Sequence, residues 1–156
     1  MVGVPPRALR DSGGPFARGF RCVTGGRITG QEEQMADTKR VNWACSILKQ
    51  KHDHPFFLAV GLYAPHFPNY VPKKYFDMYD AEKIKAPPYK DDDLDDLPPL
   101  IKRRKMNRKR QHHDRLVALD GVESAIHGYL AAVSYTDAML GRILKRLKQS
   151  SHADNT

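Results

Sequence analysis

Pro55-Phe-Phe-Leu-Ala-Val-Gly-Leu-Tyr-Ala-Pro-His66-Phe-Pro68 is the stretch that decides how this chain is read. Phe56 to Gly61 is an uninterrupted apolar run of strand length, the pattern of a strand buried on both faces of a parallel sheet. It discharges into a proline-bracketed turn that carries a single histidine, His66. In open α/β sheets the strand is fixed and the loop beyond its carboxyl end faces the ligand crevice, so His66 is the first candidate for chemistry.

On the amino-terminal side, Met35, Val41, Ala44, Cys45 and Leu48 recur at helical spacing between Gln31 and Lys51. Glu32 and Glu33 stand early and Lys49 and Lys51 late, which suits the helix dipole, and His52-Asp-His-Pro55 ends the helix. Residues 1–30 are rich in Gly, Pro and Arg, show no sustained period, and read as irregular or disordered. The domain proper is therefore expected over 31–156.

On the carboxyl side, Pro72 to Tyr79 predicts one or two helical turns with proline at the first position. Ile84-Lys-Ala-Pro-Pro88 is forced to extend, and Asp91 to Asp96 forms an acidic loop. That loop lacks the central Gly and closing Glu of a helix-loop-helix calcium site, so it reads as solvated. From Val122 to Gln149 the chain predicts a long helix. Val122, Ile126, Tyr129, Val133, Leu140, Leu144 and Leu147 form its apolar stripe, with Arg142, Lys145, Arg146 and Lys148 crowding the last turns. Gly141 inside it suggests the close approach of a neighbouring element, and Asp137 reads as partly exposed. One buried strand cannot pair with itself, so the chain reads as an interior slice of a larger α/β sheet.

Composition narrows the function classes. The 156 residues carry a formal charge of +8, but seven basic residues lie between Lys102 and Arg110, and without them the net charge falls to +1. Basicity is thus local to one segment, which has no interleaved aromatics for base stacking, and nucleic acid is disfavoured as a partner. The alternative reading is a non-enzymatic basic protein that binds polyanions, nucleic acid or sulfated polysaccharide, through residues 102–110. Cys22 and Cys45 have no metal-ligand spacing, and nothing argues for a bridge between them. The longest apolar stretch, Phe56 to Ala64, is about half of a bilayer span, and no secretory signal pattern follows Arg7 and Arg10.

The segment from about Asp37 to Thr156 resembles the sulfatases, most closely the iduronate-2-sulfatase and choline-sulfatase-like branch. The resemblance is carried by Pro55 to Gly61, by Pro65-His-Phe-Pro68 with Val71-Pro-Lys-Lys-Tyr-Phe76, by Asp92 to Pro99, and by Gly128 to Asp137 with Gly141-Arg-Ile-Leu144. It implies an alkaline-phosphatase-like α/β fold, here partial, with residues 102–110 as a basic surface insertion. It also implies hydrolysis of sulfate esters, including those of sulfated polysaccharides, by a formylglycine nucleophile with calcium. Relatives are usually exported or lysosomal. His66 matches the histidine that such enzymes set against a sulfate oxygen and the leaving-group oxygen.

The departures are specific. Ala64 stands where the family carries a Lys or Arg two residues before that histidine. Neither cysteine lies in the Cys/Ser-x-Pro/Ala-x-Arg context of formylglycine formation, and the family's calcium-ligand pairs have no counterpart. Asp154-Asn155 lies in a polar turn and is not such a pair. The expectation is a sulfatase piece, a truncated product or misread frame, inactive alone, with neither cofactor nor metal ligand of its own.

Overall fold

A computed structural model describes residues 25–30, 32–90, 92–93, 95–106 and 109–156, with side chains described outside 103–112. Strand β1 (Gly26–Ile28) is followed by a 3-10 turn (Glu32–Gln34) and helix α1 (Ala36–Lys49). Strand β2 (Tyr70–Pro72) runs directly into the single-turn helix α2 (Lys73–Phe76). Helices α3 (Pro99–Met106), α4 (Lys109–Ala118) and the long α5 (Val122–Lys148) complete the chain. β1 and β2 pair in parallel, with Gly26 opposite Tyr70 and Ile28 opposite Pro72. The architecture is mostly helical around this two-stranded parallel sheet.

The expected first helix is present, and Val41, Ala44 and Leu48 are buried as its spacing requires. Its last carbonyls are covered by imidazoles: His52 Nε2 donates to Ile47 O and His152 Nε2 to Gln50 O, both at 3.0 Å. The core gathers Val41 from α1, Val71 from β2, Tyr75 and Phe76 from α2, and Ala131, Ala132, Tyr135 and Met139 from α5. Arg142 ties the outer edge of the α1–α5 contact, donating to Asn42 Oδ1 at 2.5 Å and facing Glu33 at 3.6 Å.

Four expectations are corrected. Phe56 to Gly61 is not a strand: it has no ladder partner among the described residues, and Phe57 is 93% exposed. A strand exists only through its neighbour, and β1, which supplies the described sheet's other strand, pairs instead with Tyr70–Pro72. The irregular reading of residues 1–30 fails over Gly26–Ile28, while residues 1–24 lie outside the described residues. Gly25 permits that pairing at φ +86°, because a Cβ there would sit 2.2 Å from the Asn69 carbonyl oxygen. The described residues of the basic segment lie in helices α3 and α4, where Lys102 Nζ is 2.5 Å from Asp95 Oδ1.

Two further corrections concern α5. Its boundaries are as expected, but four of the seven residues of the predicted stripe, Tyr129, Val133, Leu140 and Leu144, are exposed, and Val122, Ile126 and Leu147 are only half-buried. The buried side carries Ala125, Gly128, Ala131, Ala132, Tyr135 and Met139. Small residues let the backbone of α1 come close, and close approach recovers dispersion contacts that bulky side chains at the interface would prevent. Contrary to the expected close approach, Gly141 meets no neighbour within 4 Å among the described residues, and Asp137 is exposed.

Candidate functional site

The residues from Tyr63 to Asn69 form a bend between α1 and β2, with cis peptide bonds at Ala64–Pro65 and Phe67–Pro68. The His66 amide donates to Tyr63 O at 3.0 Å, closing a turn with His66 at its exposed end. His66 Nδ1 lies 2.5 Å from Phe67 O, and the Tyr63 hydroxyl donates to the same oxygen at 2.8 Å. A carbonyl only accepts, so Nδ1 carries the proton and Nε2 is left for a ligand. Tyr63 also lays its ring beside the imidazole, with centroids 5.0 Å apart.

Both ends of the bend are anchored to buried polar side chains. At its head, Asp37 in the first turn of α1 is 5% exposed and accepts from the Tyr63 amide at 3.0 and 2.9 Å and from the Ala64 amide at 2.9 Å. Arg40 completes that carboxylate's partners as an ion pair. At its tail, Asn69 is 1% exposed. Its amide turns Nδ2 toward Pro65 O at 2.9 Å and Oδ1 toward the Tyr129 N–H at 3.2 Å, the one orientation that matches donors to acceptors. Gly26 N donates to Asn69 O at 3.0 Å, which joins the bend to β1.

Sequence reasoning singled out His66 as a candidate, which the structure places at the exposed tip of the bend, and missed these anchors. Asp37 looks like an ordinary acidic residue at a helix start, and Asn69 like a polar residue after a turn; neither pattern reveals a partner across the fold. His127, also buried, is structural: its Nε2 donates to Phe76 O at 2.9 Å, and its ring lies edge-on to Phe76 at 5.2 Å. Ala64 contributes its amide to Asp37 and packs its methyl on the core, so the position supplies no cation.

The family model for sulfatases matches residues 12–156. The chain belongs to the sulfatase family. Among its relatives is a sulfatase of Formosa agariphila, 43% identical over 124 residues that make up 78% of this chain and 24% of that protein. The iduronate 2-sulfatases of Homo sapiens and Mus musculus are each 34% identical over 112 residues, 65% of this chain and 20% of theirs. This sulfatase chain thus spans between a fifth and a quarter of the length of those relatives. No solved structure matches it. Membership implies an alkaline-phosphatase-like α/β fold, and the parallel β1–β2 pair flanked by helices is the part of it visible here.

Sulfatases generally depend on calcium. Hard cations of this kind need several oxygen ligands converging on one point. Among the described residues no three His, Cys, Asp or Glu side chains converge in that way, so those residues do not build the ion's cage. Asp37, the buried carboxylate nearest the bend, has its oxygens taken by two amides and a guanidinium. Cys45 is a free, half-buried thiol turned toward Arg142 O at 3.8 Å, and Cys22 lies outside the described residues. No helix among the described residues is long and apolar enough to cross a membrane.

Proposed function

We propose that this chain carries the imidazole-bearing segment of a sulfate-ester hydrolase, with His66 facing the ester. The observation that supports it is the hydrogen bond from His66 Nδ1 to Phe67 O, which holds the ring at an exposed tip with no hydrogen bond to Nε2 among the described residues. As imidazolium, Nε2–H donates to a sulfate oxygen or passes its proton to the ester oxygen as the S–O bond breaks, so that the alcohol departs neutral. As neutral imidazole, Nε2 accepts and cannot serve an anion, which ties the role to the protonated form.

The 156 residues contain no Cys/Ser-x-Pro/Ala-x-Arg, and Ala64 withholds a second cation. On this reading the chain recognises the sulfate group through His66 and does not turn over an aryl sulfate alone, even with calcium. The name of the iduronate 2-sulfatase relatives suggests a sulfated uronic-acid sugar as the substrate class. The polyanion-binding alternative for residues 102–110 rests on charge alone, and Lys102 is already engaged by Asp95.

Titration of the purified chain with inorganic sulfate, followed through the imidazole resonances, tests the reading. His66 should shift selectively on addition of sulfate at acid pH, and the shift should vanish at alkaline pH, where the imidazole is neutral. Equal response of His52, His66 and His152 would leave only nonspecific anion binding and remove the proposal.

A further inference from the structure

We propose that Asp37 is the positioning residue of His66, acting through the backbone of the bend; this rests on the sulfate-facing reading of His66. A buried carboxylate is costly unless its lone pairs are met, and an acid at a helix start ordinarily meets them on its own helix's free amides. The N-cap residue of α1, Met35, makes no side-chain cap bond. Asp37 turns its oxygens instead to a segment 26 and 27 residues away, taking two successive amides at 2.9 to 3.0 Å.

Those two amides belong to the first and second residues of the turn whose fourth residue is His66, closed by the 3.0 Å bond from His66 N to Tyr63 O. Fixing the peptide planes before and after Tyr63 therefore fixes the turn. The turn in turn fixes both donors on Phe67 O, the Tyr63 hydroxyl and His66 Nδ1. Oδ2 accepts from both amides, while Oδ1 shares the Tyr63 amide and takes the Arg40 guanidinium. An asparagine keeps one oxygen for these contacts, loses the charge that holds Arg40, and turns an NH2 toward either the Tyr63 N–H or the guanidinium. Asp37 touches no ligand itself; it sets the direction from which the imidazole meets one.

The test compares the parent chain with Asp37→Asn by amide hydrogen exchange and by the His66 ring resonances during sulfate titration. Exchange at Tyr63 and Ala64 should rise by about tenfold or more while Val41 and Ala131 stay protected. The sulfate response of His66 should weaken by about threefold or more. Unchanged exchange at the two amides, or a rise spread evenly over the core, overturns the proposal. If Asp37→Asn does not fold, the parent chain decides: the Tyr63 and Ala64 amides must be protected about tenfold beyond those of Gly61 and Leu62, and equal protection overturns it. A parent chain whose His66 resonances ignore sulfate while the two amides behave as expected removes the functional reading and leaves the clamp standing.

Discussion

The hydroxyls of Thr38 and Tyr135 lie 2.9 Å apart in the core, joining α1 to α5 across 97 residues of chain. Both side chains are buried, and Tyr135 also stands edge-on to Tyr75 at 5.4 Å, so one hydrogen bond and one aromatic contact close three elements together. Thr38→Val should cost about 1–3 kcal/mol in urea unfolding, since it strands a buried hydroxyl. The double variant with Tyr135→Phe should cost less than the two single effects combined. Strict additivity would mean that the two groups do not interact.

Burial pushes the Tyr135 phenol up to about 12, against a smaller opposing pull from its bond to Thr38. Its neutral form is therefore the one the fold favours. The stability this contributes is intact below pH 10 and drains away as pH rises from about 10 toward 12, by on the order of 2 kcal/mol. Tyr135→Phe should flatten that decline. Chemical denaturation across pH 8 to 12 reads it, and parallel declines in both proteins would rule out Tyr135 as the source.

The two faces of α5 should answer differently to substitution. Met139→Ala, on the buried side, should lose about 2–4 kcal/mol. Leu140→Gln and Leu144→Gln, on the open side, should stay within about 0.5 kcal/mol of the parent. Denaturation midpoints measure both, and large losses at Leu140 or Leu144 would show that the stripe is covered in solution.

Gly25→Ala places a Cβ against the Asn69 backbone at a φ that side chains avoid. It should destabilise the β1–β2 pair by about 1–3 kcal/mol, seen as faster amide exchange at Gly26 and Val71 with little change at Ala131.

Ala64→Lys should restore a cation beside His66. An exposed charge-assisted contact of about 0.5–1 kcal/mol corresponds to roughly two- to fivefold tighter sulfate binding. The long stem can lie on the core surface that the alanine methyl covers now. Affinity equal to the parent's would place position 64 out of reach of the anion at His66.

Much of this molecule is legible locally. The spans of α1 and α5, the proline-shaped bend and the exposed histidine at its tip follow from periodicity, charge placement and backbone restriction, all of which act within a few residues. The same rules fail wherever two answers are locally equal. Helix α5 carries two apolar faces, and periodicity selects the bulkier one; contact with α1 and β2 buries the other because small residues admit a closer neighbour.

Pairing lies beyond local rules altogether. Phe56 to Gly61 has every mark of a strand except a partner among the described residues, whereas Gly26–Ile28 and Tyr70–Pro72 have few marks and one another. The anchors of His66 belong to the same class, since an aspartate and an asparagine reveal their role only when folding brings the Tyr63 and Ala64 amides and Pro65 O to them. By itself, then, the chain's order of residues determined its helices, its turn and its candidate imidazole, since short-range sterics and spacing suffice for those. Tertiary structure alone decided which helix face is buried, which strands meet and what holds the histidine in place, because each depends on groups distant in sequence competing for the same space and the same hydrogen bonds.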